Sequence, residues 1–171
     1  MPLLYDLTKL TVGATLRLGW RPRVEGLEHL PRHGGAILAG NHLSVADELF
    51  LVCAAPRHVT FWAKVEYFNG RGPGGWLNRG RTGMTRLARD AGVPIVPVGA
   101  LGTAEVLPVD ARWPRRHPVT LRFGPPIPVA GRINGPRDIR TFTDEVMAAI
   151  QRLTGQEYVP RYAPRRAEPT G

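Results

Sequence analysis

Cysteine, lysine, acidic residues and long apolar runs are all scarce in this chain of 171 residues. Its single cysteine, Cys53, sits in the apolar stretch LFLVCAA. No disulfide framework is therefore possible, and a buried, inert thiol in a reducing setting is expected. No apolar run reaches the roughly eighteen residues that a membrane-spanning helix needs. The N-terminus also lacks the charged start, apolar core and small-residue cleavage site of a signal peptide. The expectation is a chain that neither crosses a membrane nor is exported. Acidic residues number 14 against 23 basic ones, a formal net charge of +9, and only Lys9 and Lys64 are lysines, so 21 of the cations are arginine. Such a balance favours anionic partners, including phosphates and acidic lipid headgroups. A genomic base bias toward Arg, Ala, Gly and Pro accounts for it equally well, so charge by itself assigns no partner. The cations are scattered and no recognition motif accompanies them, which argues against nucleic acid.

The length suits one domain with its own core, and no repeat is visible. Residues 3–18 place Leu3, Leu4, Leu7, Leu10, Ala14 and Leu18 at helical steps, with Arg17, Arg21 and Arg23 at the far end. That pattern suits a helix packed on the domain or one lying on an anionic membrane surface. GAILAGN reads as a short buried strand, and an apolar helix follows Asp47 and is closed by Pro56. HVTFWAKVEYF (58–68), PIVPVGAL and VTLRFG (119–124) read as strands, and RTGMTRLARDAG (81–92) as a helix stopped by Gly92. PRDIRTFTDEVMAAIQRLTG makes a closing amphipathic helix with Ile139, Phe142, Val146, Ile150 and Leu153 inward. The expected organisation is an amphipathic N-terminal helix over 1–20, a layered α/β domain with a mixed sheet flanked by helices over 21–157, and a disordered basic tail over 158–171.

Two glycine-rich patterns between residues 69 and 83 fail on inspection. Gly70, Gly72 and Gly75 satisfy the form of a dinucleotide-binding turn. However, Pro73 removes a backbone donor that a pyrophosphate needs, and Asp90 precedes the next strand instead of ending it. Gly75 to Thr82 approaches a phosphate loop with arginine in the lysine's place, a swap the compact phosphate cradle does not accept.

GNHLSVADELFL (40–51) is more informative. Ser44 and Asp47 form a near capping box, and an acid in the first turn suits the helix dipole. That explains Asp47 but not His42, a polar residue at the carboxyl end of a buried strand, where α/β sheets place ligands. A histidine folded over the helix start can give its Nδ1–H to Asp47 and keep the other nitrogen as a general base. No second His or Cys lies at ligand spacing, so no zinc site is expected.

GNHLSVAD resembles the Asn-His-x-x-x-x-Asp motif of the glycerophospholipid acyltransferases, the lysophosphatidic acid acyltransferase family. The likeness continues in order through RVEGLEHLPRHGGAILAGNHLSVADELFL, FWAKVEYF, RGRTGMTRLARDAGVPIVPVGALGTAEVLP and VTLRFGPPIPV, covering most of residues 20–130. It implies a glycerol-3-phosphate acyltransferase-like fold. The implied reaction moves a fatty acyl group from acyl-CoA or acyl carrier protein to the hydroxyl of a lysophospholipid such as 1-acylglycerol 3-phosphate. His42 would be the base and Asp47 its partner, with no metal and no cofactor beyond the thioester. The resemblance further implies substrate-binding roles for Asn41 and Ser44, and for Val96 and Pro97 in a fourth, donor-associated motif. It also implies a peripheral location on the cytoplasmic face of a membrane. The family's second motif, with a glycine and an arginine, and its third, Glu-Gly-Thr-Arg, grip the acceptor phosphate. Neither is present between Phe68 and the helix at Arg81, so the fold is expected to be internally shortened, with Arg79 and Arg81 left to supply phosphate charge. An inactive remnant serving as a membrane- or protein-binding module is the alternative.

Overall fold

The computed structural model describes residues 2–59, 76–108 and 111–162, without the side chains of residues 2–5 and 8. Its main sheet runs in the order β1 (Arg23–Glu25), β5 (Thr120–Phe123), β4 (Ile95–Leu101), β2 (Ile37–Gly40). β1 is parallel to β5 and β2 to β4, whereas β4 and β5 are antiparallel, so the sheet is mixed. Gly40 pairs with Val98, while Leu101 and Arg23 both pair with Thr120. The exits of β2 and β4 and the entries of β5 and β1 therefore lie at one end of the sheet.

Helices cover both faces, which is why β4 reads as an unbroken apolar run rather than an alternation. Val96, Val98 and Ala100 share a core with Leu16 of α1 (Pro2–Trp20) and Phe50 and Cys53 of α2 (Val45–Ala54). Ile95 shares the opposite core with Ala88 of α3 (Gly83–Ala91) and with Phe142, Val146 and Ile150 of α5 (Pro136–Thr154). Burial pushes the Cys53 thiol pKa up, partly offset by Lys9 and Arg17. α3 stops at Gly92 and α5 at Gly155, both in the left-handed region that glycine adopts without a Cβ clash. α4 (Thr103–Val106) follows β4 through Gly102, where an added Cβ would collide with the Pro118 carbonyl oxygen.

The inward face of α1 differs from the leucine stripe in the sequence. Leu7, Leu10 and Leu18 are 56%, 70% and 80% exposed, and Ala14 is exposed as well. Val12, Gly13, Leu16 and Trp20, at helical steps of their own, turn toward α2 instead. Gly13 lies against Cys53, and Trp20 meets Phe50 edge-on with ring centroids 6.4 Å apart. Lys9 adds a hydrogen bond from Nζ to the Ala55 carbonyl at the C-terminal end of α2, a favourable place for a cation. α1 ends where Arg21 takes a left-handed φ of 46° before Pro22. For a residue with a Cβ that conformation costs about 1–2 kcal/mol.

Two expectations require correction or lie out of reach. Tyr158 and Val159, read as the start of a disordered tail, form β6 (Tyr158–Val159), which pairs in parallel with β3 (Leu77–Asn78). Backbone pairing and the packing of Tyr158 against the α3–α5 core hold a segment whose Pro- and Arg-rich composition points to disorder. In the strand expected over 58–68, His58 and Val59 belong to no strand and the remainder lies outside the described residues, as do residues 69–75 of the junction where the second and third motifs would fall; its described part, 76–80, carries β3.

Candidate active site

β2 delivers Asn41 and His42 to the common end of the sheet, and the chain then turns into α2. Asn41 is buried and continues the β2–β4 pairing with its side chain: Oδ1 accepts the Ala100 N–H at 2.7 Å and Nδ2 donates to the Ala100 carbonyl at 2.8 Å. Nδ2 also donates to Gln156 Oε1 at 2.9 Å. Ser44 caps α2, its Oγ accepting the Ala46 N–H at 3.2 Å and donating to the Leu107 carbonyl at 2.7 Å. Both side chains are thus engaged in holding the loop that carries His42.

Asp47 is buried in the first turn of α2. Its Oδ2 accepts from the Leu43 N–H at 2.6 Å, the Ser44 N–H at 2.9 Å and His42 Nδ1 at 3.1 Å. Donation from Nδ1 to a carboxylate assigns the proton to that nitrogen and leaves a lone pair on Nε2. Two backbone donors fix the carboxylate, and the carboxylate fixes the ring, whose side chain is 22% exposed. The helix-starting and histidine-orienting roles of Asp47 thus converge on one oxygen. Asp47 Oδ1 is buried with no hydrogen-bond partner among the described residues. Glu48, which the sequence reading did not single out, brings Oε1 to 3.9 Å from His42 Nε2. Its place in the first turn of α2 carries no signal that separates it from a solvated first-turn acid.

The remaining expected residues lie elsewhere. Val96 and Pro97 are enclosed in the core, two and one positions before the Val98 that faces Gly40. Arg79 and Arg81 follow β3 of the second, two-stranded sheet, and both guanidinium groups stack on Tyr162, at 5.6 and 5.7 Å from the ring centroid. Among the described residues, neither makes a hydrogen bond or ion pair with His42. Among the described residues no group of three or more His, Cys, Asp or Glu is placed to hold a metal ion.

Residues 21–80 match the model of a family described as Acyltransferase. The structure is similar to the crystal structure of the 1-acyl-sn-glycerophosphate (LPA) acyltransferase PlsC from Thermotoga maritima. That likeness has a TM-score of 0.64 at 18% identity and covers 89% of this chain and 82% of that one. At that identity it speaks for the fold. Comparison with curated proteins finds no match. The matched segment contains Asn41, His42, Ser44 and Asp47 in the arrangement described, so this part of the chain is similar to the Acyltransferase family, and the mixed α/β sheet that carries it shares the fold of that crystal structure.

Proposed function

We propose that this protein transfers an acyl group from a thioester, acyl-CoA or acyl carrier protein, to the free hydroxyl of a lysophospholipid such as 1-acylglycerol 3-phosphate at a membrane surface. The observation that carries the reading is the His42 ring, held through Nδ1 by a carboxylate that is itself held by two backbone N–H groups. In this reading His42 Nε2 takes the hydroxyl proton as the oxygen attacks the thioester carbonyl. The tetrahedral adduct then collapses, its C–S bond breaks, and the departing thiolate receives the proton from the imidazolium. Asp47 stabilises that imidazolium throughout. No covalent enzyme intermediate, metal or added cofactor is needed, because the thioester supplies the activated acyl group. Asn41 and Ser44 act by positioning the loop, and Arg79 and Arg81 contribute positive charge for the acceptor. Val96 and Pro97 back the sheet end that faces the donor.

The membrane setting rests on α1. No helix among the described residues is long and apolar enough to cross a membrane. Leu7, Leu10 and Leu18 instead form an outward leucine face on a helix with Arg17 and Arg21 at its end, which suits an interfacial helix on the cytoplasmic leaflet. The test of the chemistry is lysophosphatidate-dependent release of free thiol from acyl-CoA. His42→Ala should lower the rate by about 10²- to 10⁴-fold, the range of a general base. Equal rates in the two proteins, or no release from the wild type, would favour a non-catalytic binding module.

A further inference from the structure

A second cluster at the His42 end of the sheet takes no part in the chemistry above. Trp20, Arg21, Arg23, Arg116 and His117 line an open cleft of about 520 Å³ formed by the end of α1, the entry of β1 and the segment leading into β5. This volume falls within the range of small-molecule sites. Arg21, Arg23 and Arg116 make no ion pair or side-chain hydrogen bond among the described residues. The wall is rigid on its inner side: Trp20 stacks edge-on against Phe50 and gives its indole N–H to the Arg115 carbonyl at 2.7 Å. Arg21 enters the cleft from the strained left-handed conformation. The α1 dipole accounts for a cation near that helix end, but not for the choice of a residue with a Cβ at φ 46°. Three uncompensated guanidinium groups around one concavity repel each other unless an anion joins them, and their planar forks match phosphate oxygens.

The cleft is tied to the catalytic loop. Leu107 accepts the Ser44 hydroxyl, Val106 accepts the Arg115 N–H, and Arg115 accepts the Trp20 indole, so one short segment braces both sites. Arg23 lies at the entry of β1 and Asn41 at the exit of β2, three strand spacings apart across the sheet, roughly 14 Å. A glycerol phosphate has only a few bonds between hydroxyl and phosphorus and cannot span that gap with its hydroxyl at His42. A nucleotide thioester carries its phosphates at the far end of a long pantetheine arm and can. We propose that Arg21, Arg23, Arg116 and His117 bind the phosphates at the nucleotide end of the acyl donor, making that donor of the acyl-CoA class. This rests on the acyl-transfer reading for the donor's role, while the binding itself does not.

The experiment is calorimetric titration of the purified full-length chain with adenosine 3′,5′-bisphosphate, which carries the nucleotide phosphates but no thioester. Saturable binding that weakens with salt is expected, with glycerol 3-phosphate at least about tenfold weaker. Arg21→Gly and Arg116→Gln should each weaken the bisphosphate about tenfold, the scale of one charge-assisted contact. Arg21→Gly should do so without lowering Tm, because glycine relieves the backbone strain; a merely structural arginine would not separate the two readouts. Absence of binding by the wild type, undiminished binding by both variants, equal binding of glycerol 3-phosphate, or displacement of the bisphosphate by an acyl carrier protein would each overturn the proposal. His42→Ala should bind the bisphosphate normally. Normal binding alongside an unaltered transfer rate in that variant would sink the role of His42 and leave the cleft standing. Transfer by a wild type that binds no bisphosphate would do the reverse.

Discussion

Asp47 shows how one oxygen serves two purposes in this molecule. Its Oδ2 takes the Leu43 and Ser44 N–H groups, which start α2, and His42 Nδ1, which points the imidazole. The purposes separate by substitution. Asp47→Asn keeps an oxygen for the backbone donors but removes the charge that stabilises an imidazolium. It should fold with a Tm close to wild type and lose most of the transfer rate. Asp47→Ala removes both, losing about 0.5–2 kcal/mol for the cap in addition to activity, which urea unfolding would detect. A rate for Asp47→Asn near that of the wild type would assign Asp47 to the helix alone. This pair was legible in the sequence because both roles are local. A strand exit, a capping serine and an acid three residues later place a histidine and a carboxylate together within a single turn. Glu48 was not legible as a neighbour of His42 Nε2, since nothing in its spacing distinguishes it from a solvated first-turn acid.

At the scale of the element, α1 carries two apolar faces, and periodicity does not say which one is buried. The leucine stripe is the larger by side-chain size, yet the core takes Val12, Gly13, Leu16 and Trp20 because Gly13 lets α2 come close at Cys53. The two faces make opposite predictions. Leu16→Ala should destabilise the fold by about 2–5 kcal/mol in urea unfolding, as a buried leucine does. Leu10→Asp should leave Tm nearly unchanged while reducing flotation with anionic liposomes. Unaltered flotation would remove α1 from the membrane contact. Deletion of residues 1–20 would confuse the two effects, since Leu16 and Trp20 belong to the folded core. Short elements escaped the sequence reading for a related reason. β1, β3, β6 and α4 span too few residues to show a period, and backbone pairing or Gly102 defines them instead. Gly102→Ala should destabilise by more than about 1 kcal/mol in the same unfolding assay, because it adds a collision with Pro118 to left-handed strain.

Across the whole molecule, the sheet end gathers the His42 loop, the exit of β4 and the arginine cleft, in a chain whose formal net charge is +9. Exposed charges act over a Debye length, which shrinks from about 10 Å at 0.1 M salt to about 3 Å at 1 M. Flotation with anionic vesicles should therefore fall steeply over that range. Flotation with neutral vesicles, driven by Leu7, Leu10 and Leu18, should hold or rise. Equal salt responses on both vesicle types would show that the arginines take no part in the membrane contact.

The sequence by itself determined what depends on near neighbours: the strand that ends at Gly40, the cap at Ser44, the His42–Asp47 pairing, the glycine stops at Gly92 and Gly155, and the α/β class. Tertiary structure alone decided what depends on distant ones. Asn41 meets Ala100 across 59 positions, and Trp20 meets Arg115 across 95. Tyr162 lies against Arg79 and Arg81, and Leu7, Leu10 and Leu18 of α1 face outward while Leu16 faces the core. The physical reason is that hydrogen bonds within a turn are set by backbone geometry a few residues long. Which face of a helix is buried, and which loops share one end of a sheet, are set by packing among segments whose order in space the chain's local pattern does not encode.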